Sequence, residues 1–99
     1  MSGVAADPSR ALLRELRRHL GEVLVERQRC EPWASVTFTG ARHELVLVAE
    51  AGKADRFLLK VPEMDLPLGG NLLADITAIA EPAEGGTRLF IEALTVEEG

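Results

Sequence analysis

Apolar positions recur every three to four residues from Leu12 to Leu24, then switch to alternation from Trp33 onward. The first pattern predicts a helix over about Pro8–Gln28. Asp7 is a good N-cap, and Pro8 takes the first helical position, where a missing N–H costs nothing. At 100° per residue, Leu12, Leu13, Leu16, Leu20, Val23 and Leu24 share one arc. Arg10, Arg14, Arg17, Arg18 and Arg29 share the next, and Glu15, Glu22 and Glu26 the third, with His19 beside them. Arg27 interrupts the apolar arc and marks fraying. Gly21 inside such a helix costs about 1 kcal/mol relative to alanine. Cys30-Glu31-Pro32 ends the element, because a residue before proline avoids helical angles.

The alternation predicts strands at Trp33–Thr39, His43–Glu50 and Arg56–Val61, joined by turns around Gly40-Ala41-Arg42 and Ala51-Gly52-Lys53. In that register Phe38 opposes Leu45, Val36 opposes Leu47 and Ala34 opposes Ala49. Leu47 then opposes Leu59, and Ala49 opposes Phe57. One continuous apolar face results. Leu72–Glu81 fits either a helix capped by Asn71 or a strand. Closing a loop at Ala83-Glu84-Gly85-Gly86 opposes Ala80 to Leu89, Ala78 to Ile91 and Ile76 to Ala93. Small residues then meet large ones, which favours the strand. The stretch Pro62–Asn71 is a crossover loop.

The expected fold is therefore a single α+β domain over residues 1–99, with 1–6 as a disordered tail. One N-terminal helix packs on a five-stranded antiparallel, meander-like sheet. The order of the last two strands relative to the first three stays open. A helix followed by antiparallel strands is similar to helix-grip folds and to small bacterial chaperones, a likeness of architecture alone. The most distinctive strings, Phe38–Leu45 and Leu72–Ile76, place the chain in no family.

Charge changes this picture in one respect. Residues 1–30 carry six arginines against four carboxylates, net +2, and residues 31–99 carry five basic against twelve acidic side chains, net −7. The whole, at −5 over 99 residues, lacks the broad basic stripe that phosphate backbones require. With four aromatics (Trp33, Phe38, Phe57, Phe90), little remains for base stacking. No nucleic-acid partner is expected. The strip Arg10, Arg14, Arg17 and Arg18 is a basic edge for a protein partner instead. No apolar run approaches a membrane span and no leader is visible. A lone cysteine, Cys30, fits a reducing cytoplasm as a small apolar residue beside the helix end.

Candidate chemistry is sparse. His19, His43 and Cys30 fall at no metal-ligand spacing, and both histidines read as surface residues. Ser2, Ser9 and Ser35 lie outside any nucleophile elbow. Gly69-Gly70-Asn71 lacks the spacing of a dinucleotide loop. No catalytic residue, metal or cofactor is expected. Asp75 is a weak functional candidate, standing among Leu73, Ile79, Leu94 and Phe90 on the face away from the helix.

One helix, about 10 Å across, covers only half of a sheet nearly 20 Å wide. Val46, Val48, Leu58, Ile79, Phe90 and Leu94 are left on the far face as a candidate interface. The resulting expectation is a non-enzymatic, self-associating interaction module, a homodimer. The alternative is a carrier of a small apolar ligand, held between helix and curved sheet.

Overall fold

The computed structural model describes residues 7–98, so the expected tail at 1–6 lies outside the described residues. The elements run α1 (Pro8–Leu20), β1 (Leu24–Ala34), β2 (Thr39–Ala49), α2 (Ala51–Lys60), a single 3-10 turn (Val61–Glu63), β3 (Asn71–Ala83) and β4 (Gly86–Glu97). The fold is α+β and antiparallel, but the sheet has four strands in the order β1-β2-β4-β3. Five strands in a meander are not what forms.

One misplaced boundary and one misread element account for the difference. α1 begins as expected, with the Asp7 carboxylate accepting from the Ser9 N–H at 3.0 Å. It stops eight residues early. Gly21 takes φ +72° and returns its N–H to the Arg17 carbonyl at 2.7 Å, a helix stop that only glycine adopts without strain. Arg17, Arg18 and His19 fill the last turn, where cations suit the negative end of the helix. Residues 24–34 then extend as β1 and pair antiparallel with β2, Ala34 opposite Thr39 and Cys30 opposite His43. The hairpin turn therefore falls at Ser35–Phe38, not at Ala41-Arg42. Val36 and Phe38 are exposed.

The second correction is α2. Arg56–Val61, expected as a strand, lies in this helix and the turn that follows it. Glu50 caps it by accepting from the Gly52 N–H at 2.9 Å. Ala54, Phe57 and Val61 are buried at spacings of three and four, a helical stripe. Leu59, which the strand reading set on the core face, is 83% exposed.

The last two strands form as read. Ile76 opposes Ala93, Ala78 opposes Ile91 and Ala80 opposes Leu89. β4 inserts between β2 and β3, with Leu89, Ile91 and Ala93 buried inward and Phe90, Leu94 and Val96 alternating outward with Arg88 and Glu92. β1 and β3 take the edges. Each has a register shift (Val25/Arg27 and Leu73/Asp75) and a proline (Pro32, Pro82), devices that discourage further strand addition.

Leu12, Leu16 and Leu20 of α1 and Phe57 of α2 pack over Leu45, Leu47, Leu89 and Ile91 on the inner face. Leu66 and Leu68, from the loop after the 3-10 turn, close the same core. That loop is thus part of the core and more than a connection.

Candidate functional site

Both helices lie on one side, so the other side of the sheet stands open. Its residues follow from the strand registers and form rungs across β1-β2-β4-β3. At the end nearest the first hairpin the rung is Trp33, Gly40, Val96 and Leu72. The next two are Glu31, Arg42, Leu94 and Asp75, then Arg29, Glu44, Glu92 and Thr77. After these come Arg27, Val46, Phe90 and Ile79, and finally Leu24, Val48, Arg88 and Glu81. A charged middle thus lies between two apolar bands.

Leu72 and Ile79 are 54% and 70% exposed, with Leu24 at 64%. Trp33 lies over Gly40, where a Cβ would collide with the Thr95 carbonyl oxygen and come within 2.9 Å of the indole. Glycine is what leaves room for the ring at this position. The indole N–H of Trp33 is buried and has no hydrogen-bond partner among the described residues.

One end of the face is pinned. The Arg88 guanidinium donates from Nε to Glu26 Oε1 at 2.7 Å and from Nη2 to Oε2 at 3.2 Å. Its Nη1 donates to Glu81 Oε2 at 3.0 Å. The arginine thereby ties β4 to both edge strands, reaching across β2 to β1. These bonds hold the Glu26 carboxyl below its ordinary range and push the guanidinium pKa up. Arg29, Glu31, Arg42 and Glu44 make no ion pair among the described residues.

Five of the six expected interface residues, Val46, Val48, Ile79, Phe90 and Leu94, share this outer face. Leu58 does not: it sits on α2, half-buried against the core. Asp75 is exposed on the outer face opposite Leu94. The bulge after Leu73 turns that leucine toward the core, so it no longer neighbours Asp75. A concavity of about 370 Å³ is floored by Val46, Ile79 and Phe90 and flanked by Arg27, Glu44 and Glu92. It opens on the outer face. Between helices and sheet, where a ligand was the alternative expectation, buried leucines and Phe57 fill the space.

Arg10, Arg14, Arg17 and Arg18 are exposed on α1. Arg14 and Arg18 approach the buried Glu15 at 3.6 and 4.0 Å. Cys30 is free and exposed on the edge strand, not tucked beside a helix end. His19 remains exposed, its ring 6.4 Å from that of Phe57.

His43 departs furthest from its surface reading. It is 1% exposed, with Nε2 3.0 Å from Thr95 Oγ1 and Nδ1 3.5 Å from Ser9 Oγ. Alternation along β2 (Ala41, His43, Leu45, Leu47) was the signal that could have placed it inside.

No group of three or more metal-ligating side chains occurs among the described residues. No helix among them is long and apolar enough to cross a membrane. Set against protein-family models, curated proteins and solved structures, the chain matches none of them.

Proposed function

We propose that this protein is a non-enzymatic interaction module that self-associates through its open sheet face. The observation that carries the reading is a contiguous outer face with Leu72 and Ile79 more than half exposed and no element over it among the described residues. Four strands of about eleven residues span roughly 14 by 36 Å between outer strand axes, or roughly 500 Å² in projection. Side-chain relief adds accessible surface to that projection, and a standard stable interface buries roughly 800 Å² of accessible surface per partner. Apolar patches of several hundred Å² mark interaction sites in soluble proteins, and a two-fold pair is the commonest closed assembly.

Light scattering across a wide concentration range tests this. The expected result is a mass that rises from one chain to two, and a shift toward monomer in Phe90→Glu. A monomer at every concentration refutes the module.

A second reading, a carrier of a small apolar ligand, is favoured by the concavity above Val46, Ile79 and Phe90. It places the ligand on the outer face instead of the helix–sheet interior. Ligand mass retained in native mass spectrometry of freshly purified protein supports the carrier.

A further inference from the structure

We infer that the open face pairs with the same face of a second copy about a two-fold axis that crosses the strands, between the Arg42 and Glu44 rungs. This rests on the self-association reading and adds the geometry of the pair. Same-face residues on one strand recur about every 6.8 Å. An axis across the strands, midway between two stacked sheets, sets each strand over its own copy running the opposite way. Rungs equidistant from the axis then face each other.

With the axis at that level, the charged centre becomes self-complementary. Arg42 stands over Glu44 of the second copy, and Glu31 over its Arg29. Symmetry repeats each pair. One rung outward, Leu72 meets Ile79 and Val96 meets Phe90, while the Trp33 ring meets Arg27, a cation–π match. Leu94 over Glu92 is the position that contributes least. Arg29, Glu31, Arg42 and Glu44 make no ion pair among the described residues, so pairing across copies breaks none of those described.

The other face-to-face two-fold, with its axis along the strands, superposes β2 on β4 of the second copy. In the same rungs it sets Glu44 over Glu92 and Glu31 over Asp75, each twice. Like charges brought together in this way cost several kcal/mol. Aligned sheets cross by about 30°, so the match is tightest near the axis. Arg42 and Glu44 are therefore the residues to test.

Arg42→Glu alone opposes two pairs of carboxylates, and Glu44→Arg alone opposes two pairs of cations. Mixing the two variants gives a heterodimer in which both pairs are complementary. Light scattering and native mass spectrometry, with circular dichroism to confirm folding, read the result. Each single variant is expected to dimerise at least about tenfold more weakly than the parent, a change of about 1.4 kcal/mol. The equimolar mixture and the Arg42→Glu/Glu44→Arg double variant are expected to regain the dimer. Single variants that dimerise like the parent, or a mixture of folded variants that stays monomeric, overturn this arrangement while leaving self-association standing. A parent that is monomeric throughout overturns both. If either variant fails to fold, Arg29→Glu with Glu31→Arg supplies the same exchange on β1.

Discussion

The buried imidazole of His43 binds Thr95 through Nε2 at 3.0 Å, joining β2 to β4 beneath the N-terminus of α1. Thr95 Oγ1 donates in turn to the Ala41 carbonyl at 3.4 Å, so it accepts from Nε2–H. In the neutral ring Nδ1 is then the bare nitrogen, 3.5 Å from the Ser9 hydroxyl, which can donate to it.

Burial lowers the His43 pKa from the ordinary value, and Asp7 opposes this more weakly. Between the unfolded value of about 6.5 and the lower folded one, the unfolded chain binds the extra proton, so stability rises with pH in that window. Full stability is expected above it and a loss as pH falls through it. Urea unfolding from pH 5 to 8 should show that slope in the parent. In His43→Gln the slope should flatten, and an unchanged slope would assign it elsewhere.

Phe57 and Leu59 separate the helical from the extended reading of their segment. Phe57 is 1% exposed and Leu59 is 83% exposed. Phe57→Ala is expected to cost about 3–5 kcal/mol, and Leu59→Ala to stay within about 0.5 kcal/mol. Equal losses in chemical denaturation would contradict α2.

Gly40→Ala pushes a methyl group against the Thr95 carbonyl and the Trp33 ring. A loss of about 1–3 kcal/mol is expected from such overpacking. The single tryptophan should report it through a shifted fluorescence maximum. A variant with parental stability and spectrum would show that the strand absorbs the methyl group freely.

Arg88 contacts both oxygens of Glu26. Arg88→Lys is therefore expected to destabilise nearly as much as Arg88→Ala, since an ammonium cannot reproduce the fork. Because Glu26 is held below the ordinary carboxylate range, its contribution is present above that range and fades as pH falls through the folded value. Thermal unfolding at low and high salt would show the difference between parent and variants shrinking with salt.

Cys30 is exposed and unpaired. Thiol titration of the folded protein is expected to find about one thiol per chain, reacting nearly as fast as in urea. Strong protection in the folded state would mean that β1 is covered by a partner.

The sequence by itself determined the start of α1, the β3–β4 hairpin with its register, and most of the outer apolar set. These are local matters: a cap, a short loop and alternation between adjacent strands depend on neighbours a few residues apart. Gly21 and the spacing of Ala54, Phe57 and Val61 were legible too, as a helix stop and a helical stripe. Competing periodicities hid them, since Val23 and Leu24 extend the helical arc and Phe57, Leu59 and Val61 also alternate.

Only the tertiary structure decided that β4 stands between β2 and β3, that residues 24–34 extend along β2, and that His43 is buried. Each of these is settled by which surfaces meet at long range. β4 is central because Leu89, Ile91 and Ala93 are buried in the core that both helices cover, β1 is drawn out because β2 offers it an open edge, and His43 is tolerated inside because Thr95, fifty-two residues away, satisfies its ring. The open face has the same origin: α1 and α2 pack on one side of the sheet, and the residues left over acquire their order only from the register.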